Sequence, residues 1–364
     1  MVELEGPHQL NVSRSSRETE LSALSPPRSE TELDDLLSRP TETDVAALAQ
    51  IEGDLLVLGA GGKMGPSLAR LARRASDEAG IQRRILAVSR FRTPGLVDAL
   101  AAHGVEPVVC DLLDPGSLDK LPRLPNVVLM AGQKFGTTGD PALTWALNAY
   151  LPGTVARRFV TSRLVVFSTG NVYPVTSSKG SGPSETDPTG PIGEYAQSAL
   201  ARERIVGFFS TTQQMPAAIL RLNYAVELRY GVLRDLADRI WHREPIDLTT
   251  GHVNVIWQRD ANAIALRTLL RCAVPPFVLN VTGPERLSVR ELALALGERF
   301  GIEPAFTGRE ASTALLSDAS HCQDLFGPPT VSTDMLLDWV ADWVGRGGRS
   351  LDKPTHFEER EGRF

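Results

Sequence analysis

The run Leu55-Leu56-Val57-Leu58-Gly59-Ala60-Gly61-Gly62-Lys63-Met64-Gly65 constrains this chain more than any other. Four consecutive apolar residues predict a short strand buried on both faces. Gly59, Gly62 and Gly65 follow at a spacing of three, and the pattern over Met64–Arg74 predicts a helix. In that order, glycine permits positive φ and close backbone approach, and the unpaired N–H groups of the helix start face outward. This is a phosphate-binding arrangement, and its position between a strand and a helix distinguishes it from a lone glycine triplet.

The texture around this turn repeats. Leu55–Leu58, Ile85–Val88, Val105–Cys110, Val127–Met130, Leu164–Phe167 and Ala218–Leu220 read as strands. Gly95–His103, Pro141–Phe159 and Gly193–Ser210 read as further helices between them. Alternating β and α units predict an α/β fold with a doubly wound parallel sheet, whose ligands sit at the carboxyl ends of the strands. Beyond residue 222 the alternation weakens. Helices are expected at Tyr230–Trp241, Asp260–Cys272, Ser288–Phe300 and Thr333–Val344, joined by shorter strands and loops. They suggest a smaller C-terminal α/β lobe over 223–345, with segments that can interleave with the domain at 51–222. Residues 31–50 read as two short helices broken at Pro40, and 1–30 as a flexible extension. The charged, aperiodic stretch 346–364 reads as a surface tail that His356 and Phe357 can dock.

Composition narrows the function. With 38 basic against 44 acidic residues the net charge is −6, which argues against a general nucleic-acid binder but not against small anionic ligands. The three cysteines, Cys110, Cys272 and Cys322, show no metal-site or disulfide spacing, so no metal is expected and a reducing, cytoplasmic setting fits. No apolar run approaches a membrane span of about 18 residues, and the amino terminus lacks the apolar core of a secretory signal.

Over most of residues 54–345 the chain resembles the extended short-chain dehydrogenase/reductase family, the NAD(P)-dependent sugar epimerases and dehydratases, through its GxxGxxG turn. The resemblance implies a Rossmann-like domain and a coenzyme held by Gly59, Gly61, Gly62, Lys63, Met64 and Gly65. Cys110-Asp111-Leu112 is similar to the family's adenine-side segment, which implies roles for Asp111 and Leu112. Met130-Ala131-Gly132 is similar to the turn that passes the nicotinamide ribose, which implies Ala131 and Gly132. Asn148 matches the family's helix asparagine, and Thr282–Ser288 resembles the glycine turn of its second lobe.

NAD binders often carry an acidic residue at the end of the second strand. Here that place reads Val88-Ser89-Arg90-Phe91-Arg92. Ser89 and Arg90 can hold a 2′-phosphate, with Arg92 or Lys63 assisting, so the reading favours NADP over NAD.

Ser168-Thr169-Gly170-Asn171 resembles the segment bearing the family's catalytic hydroxyl, at Thr169. Tyr195-Ala196-Gln197-Ser198-Ala199 resembles its YxxSK stretch, which implies Tyr195 as proton carrier and coenzyme contact. The family's lysine is replaced by Ala199. Residues i and i+4 share a helix face, so that lysine would stand beside the tyrosine and favour its ionised form. Bringing a tyrosine from about 10 to about 7 needs roughly 4 kcal/mol. Arg202, at i+7 from Tyr195, Lys134 and Lys179 are the candidate substitutes. Lys134 is preferred because it follows a central strand.

Gly170 and Asn171 occupy the places of the dehydratases' Asp-Glu pair, which argues against 4,6-dehydration. Gly251–Trp257 lacks the arginine that many members place on a substrate diphosphate, so a smaller sugar, sugar acid or polyol derivative is as fitting as a nucleotide-sugar. Lys134, Asn171, Asn223, Arg229 and His252 are the substrate-side candidates. Two functions follow: hydride transfer at a carbinol carbon, with Thr169 and Tyr195 at the reacting oxygen, or an NAD(P)-binding sensor or scaffold without turnover. The family's usual interface implies a possible homodimer through the helices at 141–159 and 193–210.

Overall fold

The computed structural model describes residues 25–364, so most of the expected amino-terminal extension lies outside the described residues. Seven strands form one parallel sheet: β1 (Leu55–Leu58), β2 (Ile85–Ser89), β3 (Glu106–Val109), β4 (Asn126–Leu129), β5 (Arg163–Thr169), β6 (Ala217–Leu222) and β7 (Phe277–Val281). Their order is β7-β6-β5-β4-β1-β2-β3, a Rossmann-like doubly wound arrangement. The switch in winding falls between β1 and β4, where Leu58 pairs with Leu129.

The central strands are largely apolar because both faces are covered. Leu55, Val57, Ile85, Ala87, Val128 and Val165 point to one side. Leu56, Leu58, Leu86, Val88, Val127 and Val166 point to the other. On the first side lies α3 (Gly65–Glu78), which offers Leu68, Leu71, Ala72 and Ala75 at helical spacing. On the second lie Leu151 and Val155 of α7 (Leu151–Arg158) and Val206 of α8 (Gly193–Gln213). Each large side chain so buried contributes about 1.5–3 kcal/mol.

Two helices precede the sheet, broken at Pro40 as the sequence suggests: α1 (Glu30–Leu37) and α2 (Glu42–Gln50). Thr41 and Asp44 form a reciprocal cap on α2. Leu33 and Leu37 of α1 enter the second lobe's core, whereas Leu48 of α2 enters the main core. The second lobe is built on α9 (Val232–Trp241), α11 (Val289–Phe300) and α13 (Thr333–Gly345), with Trp257 and Trp339 stacked edge to face between them.

One segment departs from expectation. Phe277–Val281, read among the second lobe's shorter elements, pairs in parallel with β6 and closes the main sheet. Its five residues include the buried Asn280, whose side chain donates to Pro183 O and Asp318 O, and this polar residue hides the strand pattern. The carboxyl-terminal stretch is more than a surface tail and is docked through Phe357, as its sequence allows. Thr355 and Phe357 are buried, and Phe357 joins the second lobe's core.

Candidate active site

The glycine turn has the shape its composition requires. Gly59 adopts φ +90°, and a Cβ there would lie 2.5 Å from Ala131 N. At Gly65 a Cβ would lie 2.4 Å from Ala60 O, so helix and turn pack in direct backbone contact. Met64 offers no side-chain cap to α3, which leaves N–H groups at the helix start free for an anion. Gly61 abuts Ser89, and Gly62 closes the turn through its N–H to Gly59 O. These are the features a dinucleotide's diphosphate needs.

Ser89 and Arg90 stand at the carboxyl end of β2, and Asp111 and Leu112 follow β3. Arg90 Nη1 lies 3.8 Å from Asp111 Oδ2, an exposed and weak pairing that leaves the guanidinium accessible. Lys63 departs from the expectation of a 2′-phosphate contact. Its backbone sits in the turn, but its Nζ lies 2.9 Å from the centre of the Tyr230 ring, in the second lobe.

Between the carboxyl ends of β4–β6 and the second lobe is a cavity of about 160 Å³. Thr169 and Asn171 reach it from the end of β5, and Tyr195 from the first turn of α8. Lys63 and Met64 reach it from the glycine turn, and Lys134 from the segment after β4. Asn223, Tyr224 and Tyr230 line the lobe side, and Thr355 comes from the tail. Thr169 Oγ1 donates to Asn171 Oδ1 at 3.0 Å and accepts from Asn171 N. Asn223 is held by its side-chain donation to Asn254 Oδ1.

Burial pushes the Tyr195 phenol above its ordinary value, while the Thr169 hydroxyl and the Arg202 guanidinium pull it down. The cation acting on Tyr195 is therefore Arg202. Its Nε donates to Asn148 O at 3.1 Å and its Nη2 to Asn148 Oδ1 at 2.9 Å, and Nη1 donates to Phe167 O. A Cβ at Gly132 would lie 2.7 Å from Nη2, so the small residue of that turn makes room for the arginine. Asn148 sits in a π-helical turn (Ala146–Tyr150), a feature frequent at functional sites. Its amide donates to Gln133 O and Ser198 Oγ, and Ser198 Oγ donates to Tyr195 O. Ala199 packs with Val172 and Tyr173.

Lys134 lines the cavity but stands apart from Tyr195's hydrogen-bond partners. Its Nζ donates to Thr355 O at 3.3 Å and lies 4.5 Å from the centre of the Phe364 ring. Burial lowers its pKa to about 8 against the opposing pull of Asp235 and Glu358. Lys179 is exposed and does not line the cavity.

Two substrate-side expectations are corrected. Arg229 is turned toward carboxylates, 3.1 Å from Glu227, 2.9 Å from Asp34 and 3.5 Å from Glu30, and so ties α1 to the lobe. His252 lies in a short strand against Leu287–Ser288, beside Arg286, and does not line the cavity. Sequence reasoning passed over Tyr224 and Thr355. The aromatic directly after Asn223 was a signal for the first; nothing local marks the second.

Residues 55–228 match the model of the NAD dependent epimerase/dehydratase family. No curated protein matches the chain. Among solved structures, a UDP-glucuronic acid 4-epimerase from Bacillus cereus, in complex with NAD, is 18% identical with a TM-score of 0.67, over 80% of this chain and 96% of that one. An epimerase from Methanothermobacter thermautotrophicus is 18% identical with a TM-score of 0.69, over 85% and 97%. A UDP-glucose 4-epimerase from Thermotoga maritima, with UDP-glucose, is 16% identical with a TM-score of 0.65, over 81% and 99%. At these identities the likeness establishes the fold. Among the described residues no helix is long and apolar enough to cross a membrane.

Proposed function

We propose, from the match of residues 55–228 to the NAD dependent epimerase/dehydratase family, an NAD(P)-dependent epimerase or dehydrogenase acting at a carbinol carbon of a sugar, sugar acid or related polyol. The observation that carries this reading is the convergence of Thr169 and Tyr195 on one cavity that the glycine turn also borders. When bound, the nicotinamide supplies the hydride acceptor and donor.

The chain's own residues do the rest. The turn and the start of α3 hold the diphosphate, and Gly132 and Ala131 leave space for the ribose. Ser89 and Arg90 favour the 2′-phosphate form. Thr169 Oγ1 orients the substrate oxygen, and Tyr195 Oη takes its proton as the carbon is oxidised and returns it in the reverse step. Arg202 opposes the cost of ionising the buried phenol, the part the missing lysine would have played. Asn148 and Ser198 fix the first turn of α8. Exposed Trp145, Tyr150 and Phe208 on the helices at 141–158 and 193–213 support a homodimer through that face.

Calorimetric titration with NAD+ and NADP+, followed by a panel of sugars and sugar acids read at the reduced-nicotinamide band, tests the proposal. Saturable binding and substrate-dependent absorbance are the expected results, and NADP+ binds more tightly. Loss of both coenzymes up to millimolar concentration overturns the reading. Ala199 favours one other reading, a coenzyme-binding sensor or scaffold. It predicts tight coenzyme binding and no hydride exchange with any member of the panel.

A further inference from the structure

The cavity holds an imbalance of charge. Lys63 and Lys134 are the charged side chains lining it, and among the described residues neither forms an ion pair with a carboxylate. Lys63 Nζ rests on an aromatic ring, and Lys134 Nζ meets a backbone carbonyl and ring faces. The carboxylates nearby are engaged elsewhere. Glu227 accepts from Arg229, Asp235 accepts from Thr355 N and Oγ1 at 2.7 and 2.6 Å, and Glu358 accepts from Arg239. An acidic protein thus leaves two ammonium groups half-buried in one cavity, at a desolvation cost that an anion would offset.

The carboxyl-terminal strap reaches the same cavity through Thr355. It is tied down at both ends and in the middle: Thr355 to Asp235, Arg360 Nη1 to Thr313 O at 2.8 Å, and Phe364 O to Thr137 Oγ1 at 3.1 Å. The Phe364 ring stands edge-on to Tyr195, with centres 5.6 Å apart, and also faces Lys134. With the strap in place the space is about 160 Å³, below the roughly 300–1,000 Å³ usual for drug-sized ligands and similar to a cavity of about 150 Å³ that holds one benzene.

We infer that residues 353–364 are a specificity wall and that the site takes a compact substrate bearing one carboxylate or phosphate, held by Lys63 and Lys134, rather than a nucleotide-linked sugar. This inference rests on the oxidoreductase reading for its location beside Thr169 and Tyr195. The anion sits between the two ammonium groups, and the carbinol it carries faces Tyr195. Phe364 closes the side on which a nucleotide would have to leave the cavity.

The test is a calorimetric titration of the full chain, with and without saturating coenzyme, using glucuronate, glucose 6-phosphate, glucose and UDP-glucose as probes. At least one of the two anions binds tenfold or more tightly than glucose, and which of them does so tells carboxylate from phosphate. UDP-glucose does not bind the intact chain, and binds once Phe364→Ala removes the ring that faces Tyr195 and Lys134. Lys134→Met and, separately, Lys63→Met abolish the preference for the anion, and Lys134→Met leaves coenzyme affinity within twofold. Equal binding of glucose and both anions, no anion binding at all, or binding of UDP-glucose to the intact chain overturns the inference. The wild-type comparison decides it even where a variant fails to fold. Failure of coenzyme binding strikes the oxidoreductase reading instead, because the probe arms are also read without coenzyme.

Discussion

Arg221 is a buried cation and Lys134 a half-buried one, both near the carboxyl ends of central strands, and they have opposite circumstances. Arg221 donates twice to Glu203, with Nη2 to Oε2 at 2.8 Å, and its Nη1 donates to Tyr173 Oη at 2.7 Å. Burial pulls its pKa down, but Glu203 more than compensates and holds it up. Glu203 also accepts from Ser168 Oγ, and Tyr173 Oη donates to Asn280 Oδ1, so the network is closed from β5 through α8 to β7. Lys134 has one backbone carbonyl and three aromatic faces. A buried charge answered by the chain's own carboxylate builds the scaffold. A buried charge left facing a cavity is available to a ligand.

The largest effect that separates the two is on stability. Glu203→Ala strands Arg221 and is expected to cost about 3–5 kcal/mol in a urea melt. Lys134→Met leaves no buried partner behind, and its cost is expected to stay under about 1.5 kcal/mol. Equal losses would erase the distinction. Next is turnover. Tyr195→Phe is expected to lower kcat by at least about 100-fold with the melting midpoint nearly unchanged. A Phe variant that keeps full rate removes Tyr195 as proton carrier.

Arg202 sharpens the contrast because it is satisfied by two backbone carbonyls and the Asn148 side-chain oxygen and still acts on Tyr195. Arg202→Met is expected to move the rising limb of kcat/KM upward by about one pH unit, worth about 1.4 kcal/mol. A limb that stays in place assigns Arg202 to structure alone. A separate effect, on pH dependence, concerns Lys134 itself. Its folded pKa, about 8, lies below the unfolded value of 10.5, so the folded state binds fewer protons between these values. Stability therefore rises with pH from about 8 toward 10.5 and is flat in this contribution below that window. Lys134→Met is expected to flatten the rise in melts taken between pH 7 and 10.

The glycine turn was legible because its chemistry is contiguous. Gly59, Gly65 and the start of α3 lie within a few residues of one another, and the same backbone sterics govern them in any chain of this pattern. Thr169 and Tyr195 were legible because each follows a recognisable strand end or opens a helix. Lys134 was singled out for the wrong neighbour, since a position after β4 says nothing about which rings will cover the ammonium. Arg229 reads as an open-loop arginine until α1 arrives with Glu30 and Asp34.

By itself the sequence determined six of the seven sheet strands, the glycine turn, the two helices around Pro40 and the absence of a lysine at 199. These follow from periodicity, turn sterics and capping, all of which act over a few residues. Only the tertiary structure decided that β7 returns to the sheet, that the Arg202 charge acts on Tyr195, and that Thr355 of the strap lines the cavity. Lys134 and Thr355 are 221 residues apart. Contacts at that separation depend on the whole path of the chain, and no local preference encodes them.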